Sequence, residues 1–200
     1  MCIYSTGCYG LKNIGNACRE IGIGMIVGLF IKAGGIPTSG QDLKDLTAWI
    51  GWDLVKAVTV GNEAISNYVL AGGLVDYIST AQTAGILESH PELRGAVDFV
   101  GVNIRPYFDG GCTSSEAGAF LKSQLQVAEK VCVGRECHVL EAGWPSAGKY
   151  NGKAVASPED QKIAVTPYKE NAPGHVSFFT YRNDGWNSTG TEQKFGAAGL

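Results

Sequence analysis

The stretch VLEAGWPSAG, residues 139–148, is the strongest indication of how this chain folds. Its apolar start is typical of a buried strand, and a carboxylate, Glu141, stands where glycine and proline begin a turn. A second stretch of the same design, AVTVGNEAI at residues 57–65, leads to Glu63. The sequence therefore places two glutamates at the ends of two buried strands.

Strand patterns alternate with helix patterns along the rest of the chain. Apolar runs predict six strands, at residues 3–5, 25–30, 57–60, 97–104, 138–140 and 176–180. Helical spacing predicts helices between them, at residues 11–21, 41–50, 74–81 and 121–128, and a last helix that Ser157 caps. Pro158 stands at the first position of that last helix, and Pro167 should kink or shorten it. This alternation predicts parallel strands joined by helices.

Such a pattern builds either an open doubly wound sheet or an eight-stranded barrel. A nucleotide-binding open sheet carries a glycine-rich phosphate loop after a strand, and this chain has none. Polar and aromatic side chains instead follow several strands, where a TIM barrel has its chemistry: Asn62 with Glu63, Asn103 with Tyr107, Glu141 with Trp144, and Asp184 with Trp186. We therefore predict one α/β domain over residues 1–200, a (β/α)8 TIM barrel of which only six strands are evident.

Composition excludes several classes of partner. The net charge of −3, the pI near 5.6 and the absence of a lysine or arginine run argue against nucleic acid and anionic membranes. No apolar stretch approaches the ~20 residues of a membrane span, and no signal-peptide pattern follows Met1. The three histidines are scattered, so Cys132 and Cys137 fit a disulfide bridge better than half of a zinc site. We predict no metal and no cofactor.

Two glutamates at strand ends can cleave a glycosidic bond. One protonates the leaving oxygen while the other attacks the sugar carbon or activates water. The amide of Asn62 and the rings of Tyr107, Trp144 and Trp186 suit a neutral polyhydroxyl ligand. Each residue alone is as well explained by a turn, a cap or the core, so the prediction rests on their common position after successive strands.

Three motifs carry a resemblance to a known family. They are VGNEA at residues 60–64, FVGVNIRPYFDG at 99–110 and LEAGWPSAG at 140–148. With them the chain resembles glycoside hydrolase family 17, the β-1,3-glucanases and glucanosyltransferases, and especially its fungal cell-wall branch. The resemblance implies that Glu63 is the acid/base, that Glu141 is the nucleophile and that configuration is retained, with the two carboxyl groups about 5 Å apart. It also implies subsite residues: Asn62, Asn103, Tyr107, Trp144 and Glu192.

The resemblance has further implications and some departures. It implies a secreted, extracellular or cell-wall protein and favours disulfides, and the sequon at Asn187 agrees with that location. Ala142 stands where the family usually has Thr, and Arg105 where the fungal branch usually has His. Counted against the family, the first strand is not evident, and neither is the fifth, expected between Ala84 and Pro91.

Three functional hypotheses follow. The first is a monomeric retaining hydrolase or transglycosylase that acts on β-1,3-glucan; the sequence does not distinguish the two reactions. The second is a non-catalytic remnant of such an enzyme, a glucan-binding or cell-wall structural protein. The third is a hydrolase of another polysaccharide, because Arg105 changes the polarity near the predicted subsites.

Overall fold

The computed structural model describes residues 1–31, 40–62, 78–172, 176–185 and 190–200. Within them the chain forms seven strands: β1 (Cys2–Ile3), β2 (Met25–Leu29), β3 (Val55–Asn62), β4 (Ile78–Thr83), β5 (Val100–Asn103), β6 (Cys137–Ala142) and β7 (Val176–Phe178). Their order in the sheet is their order in the chain. β1 to β4 pair in parallel, and so do β6 and β7.

Helices lie in the connections between most of these strands. They are α1 (Gly10–Ile21), α2 (Gly40–Ala48), α3 (Ala84–Ser89), α4 (Ala117–Val131), α5 (Pro158–Val165) and α6 (Tyr168–Asn171). Short 3-10 turns cover Trp52–Leu54, Pro91–Ala96, Pro106–Phe108, Ser114–Glu116 and Glu192–Lys194. Parallel strands in chain order with helical crossovers are the connectivity of a TIM barrel, which confirms the predicted fold class.

The chain divides into two compact units. The first comprises Met1–Gly101 and Val131–Glu136, and the second comprises Val102–Lys130 and Cys137–Leu200. The first unit has a core in which α1 and α2 cover the strands, formed by Leu11, Cys18, Met25, Val27, Leu29, Leu46 and Val58. The second buries large side chains, including Leu121, Leu140, Trp144, Tyr168 and Phe195.

Local signals in the sequence mark the helix ends, and the predicted cap at Ser157 is confirmed. Gly22 ends α1 with a positive φ of 70°, a conformation that glycine adopts without strain. The Ser157 hydroxyl accepts a hydrogen bond from the Asp160 amide and caps α5. Pro167 separates α5 from α6, so the predicted shortening of this helix is also confirmed.

One predicted helix is wrong, and its correction supplies a strand. Ile78 and Ala81, assigned to a helix over residues 74–81, lie in β4, whereas Leu74 and Val75 are outside the described residues. The sequence ISTAQT contains no apolar run from which a strand could be predicted. Two of the side chains that β4 buries, Ser79 and Gln82, are polar. If β1 is counted as the family's second strand, β4 is the fifth. That strand was expected at residues 84–91, most of which form the helix α3.

Two further expectations concern cysteines and membranes. No disulfide bond is present in the described residues, which include all six cysteines, so the bridge between Cys132 and Cys137 is not formed in this structure. No helix among the described residues has both the length and the apolar composition needed to cross a membrane.

Candidate active site

Glu141 is a buried carboxylate near the end of β6. Its side chain is 3% exposed, and its neighbours Leu140 and Ala142 are buried on either side. The Ile104 amide donates a 2.8 Å hydrogen bond to the Glu141 carbonyl, and the Phe179 amide donates another to the Ala142 carbonyl. Backbone hydrogen bonds to the segments after β5 and β7 thus fix the position of this glutamate.

The guanidinium of Arg105 lies between two carboxylates. Arg105 Nε is 3.5 Å from Glu141 Oε2, and Arg105 Nη1 donates a 3.2 Å hydrogen bond to Glu192 Oε2. The guanidinium carbon is 4.9 Å from the ring centre of Phe108 and 5.1 Å from that of Phe179. A buried carboxylate needs a paired charge, and Arg105 supplies it to Glu141.

Glu192 reaches Arg105 because the C-terminal segment is held by two loops. The Ser146 amide, in the loop after β6, donates a hydrogen bond to the Lys194 carbonyl at 2.8 Å. In the segment after β7, the Thr180 amide donates to the Phe195 carbonyl and the Asp184 amide to the Gln193 carbonyl, both at 3.0 Å. These bonds position Glu192, whose side chain is 26% exposed.

Tyr107 and Trp144 form the buried aromatic support of the site. Their rings meet edge to face at a centroid distance of 5.6 Å, and Tyr107 contacts Phe195 in the same manner at 6.3 Å. Trp144 is completely buried and its indole N–H donates to the Val155 carbonyl at 2.7 Å. In this structure Trp144 therefore supports the loop after β6 and has no exposed ring face.

The hydroxyl of Tyr107 is a neutral hydrogen-bond donor. It donates to the Lys149 carbonyl. Burial raises the pKa of Tyr107 above its ordinary value, and a hydrogen bond with Thr191 partly opposes this shift. The phenol consequently stays protonated at neutral pH and holds the loop that contains Lys149.

The described residues bring most of the predicted site together in the second unit. Asn103 ends β5 and is 5% exposed, and Glu141, Tyr107, Trp144 and Glu192 belong to the same unit. Asn62 ends β3 in the first unit. Glu63 and Trp186 lie outside the described residues.

Three residues that our site prediction omitted surround Glu141 or its partner. Arg105 pairs with Glu141, and Phe108 and Phe179 lie against the guanidinium. Phe108 is 46% exposed, so this ring, unlike Trp144, has a face open to solvent. A signal was present in the sequence, since an arginine two residues after a strand-end asparagine departs from the family pattern.

The geometry suits one role better than others for Glu141. A neighbouring guanidinium favours the ionised form of a carboxylate, and an ionised carboxylate can act as a nucleophile or stabilise a developing positive charge. A proton donor needs the opposite environment, apolar or anionic. The site therefore provides a fixed, buried carboxylate paired with an arginine, and aromatic rings lie beside that arginine.

The chain matches a family model and several curated proteins. The model of the BtgE/BtgC glycoside hydrolase domain matches residues 1–196. A protein described as "Probable beta-glucosidase btgE" from Aspergillus flavus is 39% identical over 206 residues, covering 94% of this chain and 34% of that protein. The protein of the same description from Aspergillus fumigatus is 35% identical, with 94% and 36% coverage. The chain thus spans about a third of the length of these relatives.

Solved structures share the fold. A glycoside hydrolase family 17 β-1,3-glucanosyltransferase from Rhizomucor miehei has a TM-score of 0.81 at 18% identity, covering 98% of this chain and 79% of its own. One of two plant β-glucan endohydrolases has a TM-score of 0.57 at 13% identity, with 92% and 90% coverage. At these identities the likeness establishes the TIM-barrel fold alone. Because the family model matches residues 1–196, nearly the whole of this chain, the chain belongs to the BtgE/BtgC glycoside hydrolase domain family.

Proposed function

We propose that this chain is a retaining β-1,3-glucan hydrolase or transglycosylase in which Glu141 is the nucleophile and Glu63 the acid/base. The observation that carries the proposal is the buried Glu141 carboxylate beside Arg105, at the end of a parallel strand. The substrate class comes from the fold neighbours, a β-1,3-glucanosyltransferase and its active-site mutant in complex with laminaritriose. The curated relatives, described as β-glucosidases, agree on a β-linked glucoside.

The reaction proceeds in two displacements. A Glu141 oxygen bonds to C1 of the glucosyl unit while the bond from C1 to the leaving oxygen breaks, and Glu63 gives its proton to that oxygen. Glu63 then removes a proton from water or from a sugar hydroxyl, whose oxygen displaces Glu141 from C1. Two inversions restore the β configuration. Water as the acceptor gives hydrolysis, and a second glucan gives transglycosylation.

An isosteric variant tests the nucleophile. We expect Glu141→Gln to lower reducing-sugar release from laminarin by more than about 1,000-fold, because an amide cannot form the glycosyl ester. Glu159→Gln, an exposed glutamate of the same unit, should retain full activity. Circular dichroism and urea unfolding establish that both variants fold. Unchanged turnover in Glu141→Gln would exclude this residue as the nucleophile.

Azide rescue separates the two glutamates. With an aryl β-glycoside of laminaribiose as the substrate, azide should restore turnover of Glu141→Gly and give the α-glycosyl azide, because azide replaces the missing nucleophile. Azide should give the β-glycosyl azide with Glu63→Gly, since the glycosyl-enzyme still forms. Exchanged stereochemistry would reverse the two roles.

Products of the unmodified chain that are longer than the starting oligosaccharide would identify transglycosylation.

A non-catalytic glucan-binding protein is the second candidate function. The observation that favours it is the 3% exposure of the Glu141 side chain, which leaves little of the carboxylate accessible to a sugar. Retardation of the unmodified chain in laminarin-containing gels, without release of reducing sugar or longer products, would support this candidate and contradict the first.

We also propose that the protein acts outside the cell, in keeping with the sequon at Asn187.

A further inference from the structure

Glu192 is directed at Arg105. Family resemblance makes Glu192 a substrate-binding residue, which would require its carboxylate to accept hydrogen bonds from sugar hydroxyls. In the structure Glu192 Oε2 accepts a 3.2 Å hydrogen bond from Arg105 Nη1. This contact is shorter than the 3.5 Å between Arg105 Nε and Glu141 Oε2. The carboxylate of Glu192 is thus directed at the guanidinium of Arg105.

Arg105 itself is held on several sides. Phe108 and Phe179 lie within 5.1 Å of the guanidinium carbon, and the side chain is 18% exposed. The acids that it pairs with come from separate elements, since Glu141 lies in β6 and Glu192 begins the 3-10 turn near the C-terminus. A planar guanidinium with several donors can serve two carboxylates at once, which an ammonium does less well.

We propose that Glu192 acts on the reaction through Arg105, as a positioning residue that holds the guanidinium beside Glu141, and not by binding sugar. This inference rests on the proposed function, in which Glu141 is the nucleophile. Arg105 and Glu192 then form a positioning pair, and substrate contacts are made by other residues.

The charge balance gives Glu192 a role in the reaction cycle. Before reaction, one positive charge on Arg105 lies between the negative charges of Glu141 and Glu192. When Glu141 forms an ester with the sugar, it loses its negative charge. Glu192 still pairs with Arg105 in that state and keeps a negative charge beside a guanidinium whose side chain is only 18% exposed. Glu192 therefore stabilises the glycosyl-enzyme by offsetting part of the positive charge of Arg105.

A double-mutant cycle tests whether Glu192 acts through Arg105. We expect Glu192→Gln to lower kcat on laminarin about tenfold with little change in KM, and to have less than about a twofold effect in the Arg105→Met background. Arg105→Lys keeps the charge and should recover part of the kcat that Arg105→Met loses. Controls are Glu159→Gln and Arg182→Met, both exposed positions in the same unit. An equal loss in both backgrounds, expressed in KM, would mean that Glu192 binds sugar and would overturn the proposal.

A second measurement does not depend on activity. Hydrogen exchange of the Arg105 Nε–H is followed by NMR on 15N-arginine-labelled protein. The Arg105 signal is the one that is absent from the Arg105→Lys variant. We expect exchange roughly fivefold faster in Glu192→Gln and unchanged in Glu159→Gln, because loss of an ion-pair partner increases local opening. Unchanged exchange in Glu192→Gln would overturn the proposal even in an active enzyme. If the chain does not turn over glucan, the proposed function fails, and this exchange result alone decides whether Glu192 holds Arg105.

Discussion

Gln161 is a buried amide that joins three parts of the second unit. Its Nε2 donates to the Trp144 carbonyl at 2.8 Å and to the Gly196 carbonyl at 3.1 Å, and the residue is 3% exposed. The side chain lies on α5, so this helix supports both the loop after β6 and the C-terminal segment that contains Glu192. Buried carbonyls without a donor are costly, which makes this amide a strong contributor to stability.

Removal of the Gln161 amide should destabilise the fold. We expect Gln161→Met, which has a similar volume, to lower the free energy of unfolding by about 1–3 kcal/mol, because the buried carbonyl of Trp144 and the partly buried carbonyl of Gly196 lose a donor. Urea unfolding monitored by fluorescence measures the change. Lys162→Met alters the next, exposed residue of the same helix and should change stability little. Equal stability of the two variants would contradict the role assigned to Gln161.

Gly143 allows β6 and the segment after β7 to approach each other closely. A Cβ atom at this position would lie 2.2 Å from the Phe179 carbonyl oxygen and 2.9 Å from the Phe195 ring. We expect Gly143→Ala to cost about 1–3 kcal/mol of unfolding free energy, because backbone must move to admit the methyl group. The displacement would also shift Phe179 away from Arg105, so glucan turnover should fall with stability.

The control for this variant is another glycine of the second unit. Gly185→Ala introduces a methyl group with no described heavy atom within 4 Å. It should leave both unfolding free energy and turnover close to those of the unmodified chain. If Gly143→Ala behaves like Gly185→Ala, close packing at residue 143 is not required.

At the scale of elements, the 3-10 turn Ser114–Glu116, which leads into α4, begins with a capping box. The Glu116 side chain accepts hydrogen bonds from the Thr113 hydroxyl at 2.7 Å and from the Thr113 amide at 2.9 Å. These bonds, first that from the hydroxyl and then that from the amide, lower the pKa of Glu116 below its ordinary value of 4.5. The ionised carboxylate is therefore favoured in the folded state.

This lowered pKa predicts the pH dependence of the cap. A folded-state pKa below the unfolded value contributes stability above the unfolded pKa, and the contribution is lost as pH falls through the folded pKa. We expect Glu116→Gln to be less stable than the unmodified chain at pH 7, with a difference that shrinks below pH 4.5. Urea unfolding at pH 7 and below pH 4.5 measures this difference in stability. Glu129→Gln, at an exposed position of α4, should show no such pH-dependent loss.

Among the described elements, β4 was assigned wrongly from the sequence patterns. Ser79 and Gln82 are buried in it, and the Ser79 hydroxyl accepts a 2.9 Å hydrogen bond from the Gly101 amide. A strand whose buried side chains are polar has no apolar alternation, so periodicity could not distinguish it from a helix. Six other strands carry apolar residues and were predicted, with ends that differ by a few residues.

For the whole molecule, charge predicts which polymers bind. With a net charge of −3 and a pI near 5.6, the chain should not bind DNA or heparin at pH 7 and 0.15 M salt, because its net charge is negative and its sequence contains no run of lysine or arginine. Laminarin is uncharged, so its binding should change little between 0.05 and 0.5 M salt. Fluorescence anisotropy with labelled DNA measures DNA binding, and affinity electrophoresis in laminarin-containing gels measures laminarin binding. Salt-sensitive binding to DNA would contradict the prediction.

Local patterns were sufficient for the fold class and for the motif that contains Glu141. Strand and helix periodicity and the capping signals at Ser157 and Gly22 act over a few residues, so they are readable in the chain itself. The tertiary structure added Arg105 as a partner of Glu141 and Glu192 as a partner of Arg105. Arg105 and Glu192 are 87 residues apart, and neither their neighbours in the sequence nor their spacing predicts this contact. The burial of Trp144 and of the polar side chains of β4 likewise arises from long-range packing, which no local pattern encodes.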